Sequence, residues 1–385
     1  MKATEIIERC LNVYEDLDFH YVTQWKEKKK GRRAIGYTPI YFPQEILYAM
    51  DILPVGLIGG GDMIDVVKGD SYYQSYICHI VRSVVDMELS GKLAPLDGII
   101  TPFVCDVMRN LSGVLRSISP SRYAKFFDQP QDFSSKVGGE YYEAQLKNII
   151  NHFNGGDIPK NKLLDSIMLY DENRRLIREL YDVRSDRPWS IPLTEAYLLL
   201  RAGLVIDVKE HNKMLKEFME SVKEIDRKPE DNVRVILAGV FCEQPPLALL
   251  KVIEQGGCYV VSDDLFLGGR YLTNKVDIAK VEKDPIKWIT DSYLMYGVPS
   301  PCRFEGKEER ETYLINDVRE RNAEGVIFAA PSFCDPALEE RPLYQSRLDD
   351  AGIKHISFLY SEDTAQFSTV REQIGTFTDS IKIWG

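Results

Sequence analysis

The sequence predicts an α/β protein built as two parallel-sheet domains joined by a helical connector. Three observations carry that prediction. The chain has 385 residues, more than one hydrophobic core comfortably organises. Toward both ends, short apolar runs rich in β-branched residues alternate with amphipathic helical stretches, the pattern of strands covered by helices on both faces. Between them lies a stretch with helical periodicity alone. The boundaries read from this are residues 1–138 for an N-terminal helix plus first α/β domain, 139–230 for the helical connector, and 231–385 for the second α/β domain.

Each element follows in order. Thr4 to about Asp18 places Ile6, Ile7, Cys10, Leu11 and Tyr14 on one helical face. AIGYTPIYFPQEILYAM reads as strand, turn and helix, with Pro43 near the first helical turn, where its fixed φ is suited. LPVGLIGGGD at 53–62 is a strand entering a glycine turn, and LDGIITPF at 96–103 and YAKFFDQ at 123–129 are two more strands. YYEAQLKNIINHF, LLDSIMLYDENRRLIRELY and HNKMLKEFMESVKEI are helical, punctuated by Pro188 and Pro192. Strands resume with VRVILAG at 233–239, CYVVSDD at 258–264, GVIFAAP at 325–331 and IKHISFLY at 353–360, and Gln366 to Ile383 closes the fold. Two such sets make two Rossmann-like domains. There is no repeat of solenoid length and no low-complexity tract.

Composition excludes several function classes. A hydrophobic fraction of 44% with 28% charged residues describes a soluble globular chain. No apolar run reaches the roughly 18 residues of a membrane span, and the first residues lack the apolar centre of a secretory signal. A cytoplasmic protein is expected. Net charge is −11, from 48 basic and 59 acidic residues, which argues against general nucleic-acid binding. KEKKKGRR at Lys26–Arg33 reads as a solvated loop or helix end in preference to a landing place for an anionic ligand. Gly59–Gly61 reads as a tight strand-to-helix turn, not a phosphate cradle. No G-x-x-x-x-G-K-[ST] occurs, so ATP hydrolysis is not expected of this chain itself. Neither G-x-S-x-G nor H-E-x-x-H is present.

The seven cysteines hold the chemistry. Without a secretory signal they are expected to be buried, catalytic or metal-bound, not paired as disulfides. Three follow strand ends: Cys105 in LDGIITPFVCDVMRN, Cys334 in GVIFAAPSFCDPALEE and Cys242 in VRVILAGVFCEQPPLALL. Ligands of open α/β sheets sit beyond the carboxyl ends of the strands, so these thiols face a crevice between the domains. Cys78 lies in or just before a helix, where the dipole favours a thiolate. Cys10 and Cys258 are on apolar faces and read as core residues, and Cys302 has no role. Soft thiolates gathered from distant positions suit an iron–sulfur cluster. Zinc usually brings a close Cys-x₂₋₄-Cys pair and a redox dithiol brings Cys-x-x-Cys, both absent. Spacing alone leaves two readings open, a cluster or ordinary buried thiols. Asp106 and Asp335 read as caps of the helices that follow. Glu243 and His79, beside cysteines, are the candidates for proton relay.

Several blocks carry a family resemblance. SYYQSYICHIVRS, CDVMRNLSG, FCEQPP, EGVIFAAPSFCDPALEERP and REQIGTFTDSIKIW resemble the C-type subunits of class I, ATP-dependent benzoyl-CoA reductases, and more widely the subunits of 2-hydroxyacyl-CoA dehydratases. The resemblance runs from the N-terminal helix to the C-terminus and is weakest over residues 265–312. It implies a heterotetramer, in which this chain and a paralogous B subunit carry the reducing site. Activator subunits A and D form an ATPase fed by reduced ferredoxin. It implies reduction of benzoyl-CoA to cyclohexa-1,5-diene-1-carbonyl-CoA at a 4Fe–4S cluster held by Cys78, Cys105 and Cys334 in the interdomain cleft. Cys242 is then either a fourth ligand or a thiol behind the ligands. The alternatives are a dehydratase subunit acting on a 2-hydroxyacyl-CoA and a non-catalytic electron-relay subunit.

Overall fold

Strand β1 (Arg33–Tyr37) is the centre of the first sheet, and two helices precede it. The first, α1 (Ala3–Glu15), buries Ala3, Ile6, Cys10 and Tyr14 along one stripe, the spacing of a helix with one apolar face. The second, α2 (His20–Glu27), is short and ends in the basic segment. There Lys26 pairs with Asp97 and Lys29 with Asp51 at the surface, so the solvated helix end describes this segment. Pro43 is the cap residue of α3 (Gln44–Ala49), which leads to β2 (Ile52–Gly56). Then come α4 (His79–Leu89), β3 (Gly98–Pro102), α5 (Asp106–Ile118) and β4 (Tyr123–Phe127). The structure is a computed structural model that describes residues 2–38, 41–134, 136–239, 245–272, 275–295, 307–361 and 367–384.

Four helices come next without a strand: α6 (Gly138–Asn154), α7 (Lys160–Asp186), α8 (Leu193–Ala202) and α9 (Val208–Ser221). The second half opens with β5 (Val233–Ala238), α10 (Leu247–Gln255) and β6 (Cys258–Asp263). It continues through α11 (Ile278–Lys283), α12 (Pro285–Met295) and α13 (Lys307–Glu320) to β7 (Gly325–Pro331). It ends with α14 (Asp335–Asp350), β8 (Lys354–Tyr360) and α15 (Phe367–Trp384).

All pairings are parallel, in the orders β2-β1-β3-β4 and β6-β5-β7-β8. The two halves therefore repeat one winding, and both reverse direction between their first and third strands. Alternation along the strands sorts side chains between layers. Ala34 and Ile99 point into one core, while Ile35 and Ile100 point into another. In the second sheet Val235, Leu237 and Ile327 enter the same core as Ala34, and Ile236 and Phe328 face away. One apolar mass thus joins the facing sides of both sheets, with α1, α8 and α10 inside it. The outer face of the first sheet is covered by α3, α6, α7 and also α12, whose Trp288, Ile289 and Tyr293 come from the second half of the chain. Each such fully buried side chain contributes about 1.5–3 kcal/mol.

Candidate functional site

Three cysteines occupy one kind of position. Cys78, Cys105 and Cys334 are each the residue immediately before a helix, α4, α5 and α14 respectively. Their backbones are non-helical, with φ/ψ of −54/144, −160/174 and −91/81, as a cap position requires. A side chain there faces the free amides and positive end of the helix, which favours a thiolate. Asp106 and Asp335, expected as caps, are instead the first helical residues, and the cysteines hold the cap positions. The non-helical backbone runs through the cysteine in both places, so each helix begins one residue later than expected for an aspartate cap. The carboxylates still complement the dipole from the first turn.

The three thiols belong to one core. Cys78 and Cys334 are buried and Cys105 is half-buried. Burial pushes the Cys105 thiol up; the Met108 amide in the first turn of α5 pulls it back, and the negative charge of Cys334 raises it again. Cys105 and Cys334, far apart in sequence, are thus within electrostatic reach of each other. Tyr73 ties in the third. Its hydroxyl is pushed up by burial first and then by the charges of Cys78 and Cys105. The other described cysteines behave differently. Cys10 sits with its sulfur 3.3 Å from that of Met214, and burial pushes Cys10 and Cys258 alike up to about 12. They are packing residues.

Backbone geometry beside Cys334 is unusual. Phe333 has φ +65 and is half exposed, a left-handed conformation that costs a residue with a Cβ about 1–2 kcal/mol. It turns the chain out of β7 and sets Cys334 at the head of α14. Ser332 N–H, donating to the Tyr360 carbonyl at 2.7 Å, anchors that turn to β8.

His79, the first residue of α4, is buried and lines a small cavity with Tyr14, Gly61, Arg201 and Pro245. Cys242, Glu243 and Cys302 lie outside the described residues. The glycine turn is occupied by protein: the Gly60 amide donates to Ser83 Oγ at 2.7 Å.

Sequence reasoning missed two sets of buried polar groups, one in each half. In the second half, Asp264 at the end of β6 pairs with Arg270 at 3.0 Å, both buried, and accepts from the Gly239 amide just past β5. Gly239 has φ +91, which glycine adopts without strain. Asp263 is pushed up to about 6 by burial, while its acceptance of the Tyr181 hydroxyl at 2.6 Å pulls it down. In the first half, Glu45 and Arg174 form an almost fully buried ion pair, and the Tyr293 hydroxyl donates to Glu45 at 3.0 Å. The doublet SDD after an apolar strand was a signal for the first set. Nothing local pointed to the second.

Among the described residues, no group of three or more His, Cys, Asp or Glu side chains is placed to hold a single metal ion. A polynuclear cluster sets a different condition. Each thiolate binds its own iron, so the sulfurs stand apart around a shared centre. A donor set of thiols alone, drawn from three helix starts beside an unpartnered buried hydroxyl on Tyr73, fits that chemistry better than a lone hard ion. No helix among the described residues is long and apolar enough to cross a membrane.

Comparison with known proteins finds relatives over almost the whole chain. The family described as 2-hydroxyglutaryl-CoA dehydratase, D-component, matches residues 39–381. The chain is 45% identical over 388 aligned positions to the C subunit of benzoyl-CoA reductase from Thauera aromatica, covering 100% of both chains. It is 27% identical to the beta subunit of (R)-2-hydroxyglutaryl-CoA dehydratase from Acidaminococcus fermentans, covering 92% of this chain and 94% of that one. It is 24% identical to the (R)-phenyllactyl-CoA dehydratase beta subunit of Clostridium sporogenes, covering 92% and 93%. A twofold-repeated parallel sheet with cysteines at its helix starts is thus the fold of a chain that belongs to the 2-hydroxyglutaryl-CoA dehydratase D-component family.

Proposed function

We propose that this chain is the iron–sulfur subunit of an ATP-dependent benzoyl-CoA reductase, reducing benzoyl-CoA to cyclohexa-1,5-diene-1-carbonyl-CoA. The observation that carries the reading is that Cys78, Cys105 and Cys334 each stand immediately before a helix in one shared core. These three hold a 4Fe–4S cluster, and Cys242 is its fourth ligand or a thiol behind it. When bound, that cluster supplies electrons at very low potential, as an aromatic thioester demands. The protein's part is to desolvate the thiolates, set them against helix dipoles and keep water out, conditions that tune such a potential.

The remaining assignments rest on the same reading. A paralogous B subunit completes the reducing site, and activator subunits A and D, an ATPase, pass on electrons from reduced ferredoxin. The relatives' names support a partner subunit, since each is a subunit of a larger enzyme. The complex is cytoplasmic. His79 and Glu243 are the candidates for carrying protons. A second reading, a dehydratase subunit acting on a 2-hydroxyacyl-CoA, is favoured by the family description and by two relatives. Identity of 45% against 24–27% places the reductase first.

Two measurements test this. Anaerobically purified protein should contain about four irons with matching acid-labile sulfide, following the cluster type; zinc without sulfide would overturn the reading. The assembled complex should turn over benzoyl-CoA and not a 2-hydroxyacyl-CoA. The reverse preference would establish the dehydratase.

A further inference from the structure

Tyr73 lies in the loop between β2 and α4, with its ring packed on the main core. Its hydroxyl oxygen is buried and has no hydrogen-bond partner among the described residues. Several buried tyrosines elsewhere are paired. Tyr181 donates to Asp263, Tyr197 to the Pro245 carbonyl and Tyr142 to the Tyr41 carbonyl. A buried donor left unpaired is unfavourable, so its place in the fold needs an explanation. Its ring packs in the same core that holds Cys78, Cys105 and Cys334, and Cys78 and Cys105 are the charged groups that act on its hydroxyl.

We propose that Tyr73 is a positioning residue whose hydroxyl donates a hydrogen bond to sulfur at this site and so raises the reduction potential of the group held there. The inference rests on the cluster reading given above. A donor aimed at sulfur stabilises the added electron more than it stabilises the oxidised state. In a low-dielectric site that preference is large. Its hydrogen bond to a charged acceptor is worth roughly tenfold or more in the ratio of reduced to oxidised forms. Tyr73 shares one core with two of the helix starts, Cys78 and Cys105, which are 27 residues apart in sequence.

The test uses the complex purified anaerobically, with iron and sulfide measured before any titration. Tyr73→Phe removes only the hydroxyl. We expect unchanged iron content and a midpoint, followed by EPR, that falls by about tenfold in the reduction equilibrium, or about 59 mV for one electron. Replacing Tyr73 with 3,5-difluorotyrosine strengthens the donor and should move the midpoint upward. A fully loaded Phe variant with the wild-type midpoint would overturn the proposal. If the Phe variant does not load iron, the fluorinated protein decides: an upward shift supports the proposal and an unmoved midpoint overturns it. Absence of iron and sulfide from the wild-type complex removes the cluster reading and this inference with it, a failure visible before any substitution is made.

Discussion

The two halves of this protein run the same course and end differently. In each, the third strand exits through a short turn to a cysteine, which heads a helix whose first residue is aspartate: Cys105-Asp106 after β3 and Cys334-Asp335 after β7. The paths beyond the second strand diverge. After β2 the chain makes a long excursion and returns with Tyr73 and Cys78 at the head of α4. After β6 it turns at once into Asp264 and Arg270, a buried ion pair with no thiol. One winding has thus been put to two uses at one topological position. Beyond its second strand the first half presents Cys78, and the second half places the Asp264–Arg270 ion pair.

The equivalence of Cys105 and Cys334 is the part most easily broken. Either residue replaced by Ala should remove most of the iron and abolish turnover, while Cys258→Ala should keep iron and cost about 1 kcal/mol of packing. Iron analysis beside urea unfolding separates the two classes. Cys334→Ala with full iron would end the idea that both halves contribute ligands. The next effect concerns the buried ion pairs. Arg174→Met strands Glu45 in the first half, and Arg270→Met strands Asp264 in the second; each should destabilise by about 3–5 kcal/mol. A small loss at Arg270 alone would mean that the second pair is dispensable.

Acid sharpens the comparison further. His211, on α9 among the connecting helices, is buried, with Nδ1 facing Asn173 at 2.8 Å and Nε2 facing the Leu199 carbonyl at 3.0 Å. Burial pushes it down to about 4 from the ordinary 6.5. A depressed value means the folded state resists a proton that the unfolded state accepts. Its contribution is present above pH 6.5 and is lost as pH falls toward 4, on the order of 3 kcal/mol in all. His211→Gln should flatten that slope in thermal melts between pH 7 and 4. Smallest is the turn before each cap. Phe333→Gly should gain up to about 1 kcal/mol by relieving its left-handed backbone. Val104→Gly, at the corresponding position before Cys105 and fully buried, should lose about 2 kcal/mol.

Much of this was legible in the sequence. All eight described strands coincide with the runs read as strands; six of them are buried almost throughout, as parallel strands covered on both faces require. The cysteines stood out because they recur at strand exits. Their role as caps did not, since aspartate is the commoner cap and shifting the helix start by one residue leaves no mark on periodicity. Helix α2 also went unread: HYVTQWKE is short and runs into lysines. Tyr73 was illegible for a different reason. A tyrosine in a polar loop becomes a buried donor only through the approach of α4 and α5, and that approach is a tertiary event. The reach of α12 across to the first half is equally long-range.

That reach has a mechanical consequence. Trp288 and Tyr293 are seated in the outer layer of the first sheet although their helix lies between β6 and β7. The halves are therefore laced together, and opening them like jaws would pull two aromatic anchors out of a packed layer. Two halves fixed in this way hold their spacing, so the helix starts that carry Cys105 and Cys334 keep their relative positions. Trp288→Ala should loosen the lacing, and hydrogen exchange in α3 and α6 should then rise; unchanged exchange would show that the halves are held by the shared core alone.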